Sequence, residues 1–505
     1  MSAARSIILF LLVLAISPIF AVEIPAMRDY PNHLAVMSVL SRYGTPAENP
    51  FYQVAWTFNT NMAMELVVPP LARLVGLALA GKAFLLFTEL LVIGGAMAIE
   101  RAIKGRVQLS PLAAVLFLYS PPFAWGFINF EFGLGVTLCA IATWLFTVGR
   151  WPIARALLHG AFVVILFVAH LLALGIYGVT LGIHELWRVR SGRVSVRQGL
   201  ATMAVLAAPA VGVFAVMLVL GHSVAGAASE TEWRFDLKAR WILETMNGYS
   251  LLLSSAGMGL LLFGLFLFGR RGYLKLVGSG AWVAVGFAIL YLAVPNRLMD
   301  TAFNDMRVLT AAAFILPGFV QLTFPSRAWR WAAFSAAASC ALLNLALVWW
   351  VWLTYRSDYA AMIASFKRLT EHSTVLVADR YPEGKPGGER IDYPFYHAPT
   401  LAVAYANALV SSLFTYPGDR PVTLRPAYSG FAQPGFLAPK LAALSDIASG
   451  ANIAAPSYLQ SWPSKYDYVY VLGPPEPNPM PLLLHELDAG PRFVLYEIDK
   501  STKAR

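Results

Sequence analysis

Asp29 and His33 stand one helical turn apart in "AMRDYPNHLAVMSVLSRYG", residues 26–44, directly behind the first apolar run of the chain. A carboxylate can accept a proton from an attacking hydroxyl, while an imidazole can orient that acid, touch a phosphate or help bind a metal. Spacing i, i+4 puts the two side chains on one face if the helix begins early enough. The plainer reading is that Asp29, just ahead of Pro31, caps the positive end of the helix. One Asp and one His make a poor metal signature, so no metal ligand is assigned and a divalent cation is left open.

Three other stretches carry similar chemistry. In "NFEFG" (129–133), Asn129 and Glu131 open an apolar run, and Glu131 is either a second carboxylate of a site or an acid favoured by the helix dipole. In "MELVVPPL" (64–71), Glu65 precedes a Pro-Pro pair, which reads as an irregular segment lining a cavity or as a simple re-entry turn. In "PNRLMDTAFNDMRVLTAAAF" (295–314), Arg297 and Arg307 are suited to a phosphate or pyrophosphate, while an Asp305–Arg307 surface pair is the duller account. Within the apolar runs, His170 and Glu89 are further candidates because ionisable groups at membrane depth are costly.

The elements that must hold these residues are mostly membrane helices. Only 13% of residues are charged, about half the share in soluble domains, and apolar runs of about 17–25 residues recur as far as residue 353. The spacing predicts spans at 6–22, 83–99, 110–124, 131–148, 154–170, 171–187, 198–220, 249–268, 275–294, 307–324 and 330–353. The first could also be read as a signal peptide, but a retained helix closes the topology without conflict. Segment 63–81 contains Glu65, two prolines and Arg73, so it reads as a re-entrant or interfacial helix. Cys139 and Cys340 both lie in apolar runs and read as core residues.

The formal charge of +10 is a topology signal. Arg5 and the loops at 100–106, 150–155, 185–197, 270–275 and 327–330 hold fifteen Lys/Arg and two acids. The opposite set, between 23 and 307, holds nine Lys/Arg and twelve acids, and the tail from 354 balances at fourteen of each. By the positive-inside rule the N-terminus is cytoplasmic, and the loop at 23–82 and the tail face outward. The excess is therefore no nucleic-acid-binding field. The expected fold is a polytopic α-helical membrane protein of about 11 transmembrane helices, residues 1–353, followed by a soluble α/β domain, 354–505, on the outer face. In that tail, 373–379, 466–473 and 492–498 read as buried strands and 400–414 as a helix.

This layout resembles the GT-C superfamily of integral-membrane glycosyltransferases. "RDYPNHL" stands where that family carries an acidic motif in its first outer loop, and "ELVVPPLARLVGLALAG" looks like its Pro-Pro-Leu segment. Tyr30 stands where a second acid is usual, and no Lys precedes Pro69. The resemblance implies an inner-membrane enzyme that moves a sugar from a polyprenyl-phosphate donor to a glycan, lipid or protein acceptor. It makes Asp29 the catalytic acid residue, gives phosphate contact to Arg297 or Arg307, and leaves His33, Glu65, Asn129, Glu131, His170 and Asp305 to shape the substrate site. The rival expectations are an export or envelope-assembly protein without catalysis.

Overall fold

The structure is a computed structural model, and it describes residues 3–220, 231–298, 301–380, 394–415, 420–431, 438–450 and 455–501. The chain divides into two compact units. The first comprises Met1–Ile19, Phe58–Ala63 and Phe84–Trp349; the second comprises Phe20–Thr57, Met64–Ala83 and Trp350–Arg505. Two long helices, Leu77–Lys104 and Arg327–Ser365, run across the division.

Six helices among the described residues are long and apolar enough to cross a membrane: Leu77–Lys104, Ile128–Phe146, Pro152–Ala169, Val196–Leu220, Leu251–Arg270 and the one starting at Arg327. Ala4–Ile16 and Gly280–Ala293 are apolar but shorter. In the first unit, helices Leu77–Lys104 and Ile128–Phe146 approach so closely that side chains are excluded from the contact. A Cβ on Gly95 would lie 2.5 Å from Leu138 Cβ, and one on Gly135 would lie 2.7 Å from Leu91 Cβ. Small residues at a crossing let helix backbones pack directly, which matters where lipid removes the hydrophobic drive between helices.

Several expected elements take another form. Segment 110–124 splits into Ser110–Phe117 and Pro121–Trp125, because Ser120 must be extended ahead of Pro121. Segment 307–324 begins as helix Asn304–Ile315, tightens into a 3-10 turn at Leu316–Phe319 around Pro317, and leaves as strand Val320–Leu322 paired with Leu274–Leu276. Segment 63–81 is not irregular at its prolines. Ala63–Val75 is helical with Pro69 and Pro70 inside it, Gly76 ends it at φ +86°, and the next helix starts at Leu77 rather than 83. Proline removes hydrogen-bond donors but its fixed φ is helical, so the pair is tolerated in this short helix, which exposes Leu66, Val67, Leu74 and Val75 on its outer side.

The tail of the second unit carries a five-stranded sheet in the order Leu409–Val410, Thr374–Asp379, Tyr468–Leu472, Phe493–Ile498, Leu484–Gly490. The first two pairings are parallel and the last two antiparallel. Three strands fall where the apolar runs predict them. The expected helix 400–414 is instead a 3-10 turn at Ala398–Leu401, one helical turn at Ala402–Tyr405 and the edge strand Leu409–Val410. Asn407 adopts φ +53°, which breaks the helix and turns the chain into the sheet.

Helix Tyr30–Arg42 is buried on every face from Tyr30 to Leu40, so its polar residues need partners inside the unit. The tail supplies them. Asn32 Nδ2 donates to Ser412 O at 2.9 Å and its Oδ1 accepts from Phe414 N at 2.9 Å. Arg42 donates to Ala404 O and Asn49 to Ala408 O. Strand Tyr52–Val54 pairs antiparallel with Val422–Leu424. Replacing Asn32 by Ala leaves two buried backbone groups unanswered, each worth about 1–3 kcal/mol. We expect Asn32→Ala to lower the thermal midpoint in nanodiscs and to raise hydrogen exchange selectively at residues 409–415.

Candidate active site

The start of helix Tyr30–Arg42 gathers the second unit's polar cluster. Pro31 occupies its first turn, where a missing N–H costs nothing, and this sets Asp29 immediately before the helix. The Asp29 carbonyl accepts from His33 N at 3.0 Å, but its carboxylate makes no capping bond to the helix. Capping therefore does not account for this acid. Its Oδ1 lies 3.5 Å from Nε2 of His397, a tail residue. The Asp29 side chain is 15% exposed and that of His397 only 2%, so solvent reaches the acid but not the imidazole.

Aromatic rings fix the geometry around this pair. His397 meets the rings of Tyr396 and Phe414 edge-on, with centroids 5.0 and 5.2 Å away. His33 meets Phe414 at 6.0 Å, also edge-on. The Arg28 guanidinium lies 4.5 Å above the Tyr396 ring. Burial, and then the positive charges of Arg28 and His33, hold His397 well below the ordinary histidine range, so it is neutral at pH 7. Burial also pushes the Tyr396 hydroxyl up to about 12, and that oxygen accepts from Ala438 N at 2.7 Å. Glu65 is fully buried and paired with Arg420 at 2.8 Å, and Arg420 lies 5.9 Å from the Phe414 ring centroid. Asp29, His33 and Glu65 thus belong to one neighbourhood, joined through Phe414.

The first unit holds a separate group. His170 ends helix Pro152–Ala169 and begins Leu171–Arg190; its Nδ1 accepts from Leu172 N at 3.2 Å. Its Nε2 is 3.3 Å from Arg307 Nη1. Arg307 also lies over the rings of Phe127 and Phe130, at 4.1 and 5.5 Å. Glu131 is buried within the electrostatic reach of Arg307. Asn129 Nδ2 donates to Asn61 O at 2.7 Å. The expected Asp305–Arg307 pair does not form: Asp305 accepts from Asn296 Nδ2 at 3.1 Å and from its neighbour Met306 N, and lies 3.2 Å from Lys238 Nζ. The reason is that Lys238, from helix Phe235–Glu244, reaches Asp305 while Arg307 turns toward the aromatic pair. Arg297 pairs through its backbone with Glu232, forming a short antiparallel bridge. Among the described residues no set of three or more His, Cys, Asp or Glu is placed to hold a metal ion.

Sequence reasoning missed His397, Arg28, Tyr396, Arg420 and Lys238. Only Arg28, the first residue of "RDYPNHL", stands in a motif, and His397 meets Asp29 only because the tail folds onto the first-loop helix within one unit.

His397 makes stability depend on pH. Unfolded, it protonates near pH 6.5; folded, it stays neutral well below that, so the unfolded chain binds more protons in acid and stability falls as pH drops below about 6.5. Above that pH the group contributes no slope. We expect unfolding in nanodiscs to show His397→Phe losing about 1.4 kcal/mol less than the parent between pH 7.5 and 5.5.

No protein-family model matches the sequence, and no curated protein matches it either. Solved structures do. The chain is similar to ArnT from Cupriavidus metallidurans bound to undecaprenyl phosphate, with TM-score 0.52 and 12% identity over 99% of both chains. It is similar to the same protein in the apo state, with TM-score 0.51, 12% identity and the same coverage. At 12% identity over 99% of both chains, this likeness shows that the chain shares the fold of that protein.

Proposed function

We propose that this protein transfers a sugar from a polyprenyl-phosphate-linked donor to an acceptor hydroxyl on the extracytoplasmic face of the membrane, with Asp29 as general base. One observation carries the reading: in a fold shared with a protein solved with undecaprenyl phosphate, Asp29 is a solvent-reachable acid at a helix start that it does not cap. The acceptor oxygen bonds to the anomeric carbon as the bond from that carbon to the phosphate oxygen breaks. The proton goes to Asp29, polyprenyl phosphate leaves, and a single displacement inverts the anomeric configuration. A phosphate leaving group held by a cation needs no proton donor, so one carboxylate suffices.

The first unit carries a group suited to an anion. Neutral imidazole has one acceptor nitrogen, and His170 spends it on Leu172 N. Its Nε2 therefore carries a proton and points at a guanidinium that also only donates. Two donors converging at 3.3 Å suit a shared anionic oxygen, such as one of a phosphate. Arg297, Glu65, Glu131, Asn129, Asp305 and His33 then act as surrounding structure. The N-terminus lies on the cytoplasmic side and the tail opposite, as the asymmetry of Lys and Arg in the loops directs. We assign residues 1–353 to the membrane domain and 354–505 to the extracytoplasmic one.

Asp29→Asn keeps the shape and removes the base. It is expected to lower turnover by about 10²–10⁴-fold without changing membrane insertion. Unchanged turnover rejects the mechanism. Arg307→Ala should weaken binding of undecaprenyl phosphate about 10–100-fold, the worth of one charge-assisted hydrogen bond; calorimetry in nanodiscs measures this.

A further inference from the structure

We infer that His397 is a positioning residue for Asp29: its Nε2–H faces the carboxylate, holds it ionised and aims it at the acceptor hydroxyl. The inference rests on Asp29 acting as base and adds a partner from the far end of the chain.

The argument starts from what the imidazole lacks. Neither His397 nitrogen has a hydrogen-bond partner among the described residues, although the side chain is 2% exposed. A buried polar group left unanswered is destabilising. A histidine kept for packing avoids that cost. His159 shows how: its Nδ1 meets Tyr177 Oη at 2.9 Å and its Nε2 meets Leu206 O at 3.1 Å. His397 is instead held by rings alone, Tyr396 on one side and Phe414 on another, which set its orientation without using its nitrogens. Asp29 Oδ1, which can accept, lies 3.5 Å from Nε2. That distance is long for a hydrogen bond, and contacts of this kind shorten when substrate excludes water.

The charges around the pair favour this division of labour. Arg28 and His33 face His397 and oppose a positive charge on it. Arg420 beyond Phe414 is already matched by Glu65. A neutral imidazole adds no counter-ion that would make the acid inert; it donates one N–H, which favours the ionised carboxylate.

The test uses the full chain in nanodiscs. A panel of undecaprenyl-phosphate-linked hexoses, pentoses and N-acetylhexosamines is supplied with cell-envelope extract as acceptor, and released undecaprenyl phosphate is measured against pH. His397→Phe keeps the packing and loses the donor. We expect the acid limb of kcat/KM to move upward by about one pH unit, because Asp29 then protonates more readily. His397→Gln places an amide N–H near the former Nε2 and should return the limb toward its parental position. A His397→Phe protein with lower stability but an unmoved limb overturns the inference. An inactive Asp29→Asn with that unmoved limb overturns it while leaving the base intact, and an active Asp29→Asn overturns the base itself. Turnover of no donor by the parent overturns both.

Discussion

The second unit depends on a helix with no outer face. Tyr30–Arg42 is short, carries Asn32, His33 and Ser38 among its apolar residues, and is buried from Tyr30 to Leu40. Water cannot satisfy those groups, so the tail must. Asn32 does most of this. Its amide both donates to and accepts from the stretch Ser412–Phe414, which fixes the ring of Phe414. That ring touches His33 and His397 and lies near Arg420. One amide therefore anchors the aromatic post around which the polar cluster stands.

The cluster separates charge from dipole. Asp29 keeps some access to solvent, and hydration stabilises a carboxylate there. His397, deeper, remains neutral. Arg28 and Arg420 are kept beside aromatic faces, and Arg420 has a carboxylate as well, so neither cation is left to an apolar wall. The first unit uses a different solution. Arg307 lies on two phenylalanine rings with an imidazole beside it.

The membrane class, the membrane-crossing runs and three strands of the tail sheet were legible because each rests on a local pattern: composition, run length, or β-branched and aromatic residues in sequence. Asp29 was legible because an acid before Pro31 in an apolar stretch is a conflict between local preference and setting. The breaks at Ser120 and Pro317 were marked by proline but lay inside runs whose hydropathy never falters. The run 400–414 misled for the opposite reason: its apolar residues suit a helix as well as a turn leading to an edge strand, and only pairing with Thr374–Val375 decides between them. His397 could not be found this way. Asp29, which it approaches, is distant in sequence, and nothing around it in "FYHAPT" has a spacing that signals chemistry.

The same long reach has a consequence for how the protein is made. Asn32 and its partner Ser412 are 380 residues apart. At about 5–20 residues per second, roughly 20–75 s of synthesis separate them. During that interval the first-loop helix exists with its polar residues unanswered and its apolar residues uncovered, while membrane helices are inserted one after another behind it. The acid at Asp29 is thus made well before the tail that surrounds it. A chain lacking the tail would lose this neighbourhood, because the partners of Asn32 and Asp29 lie there.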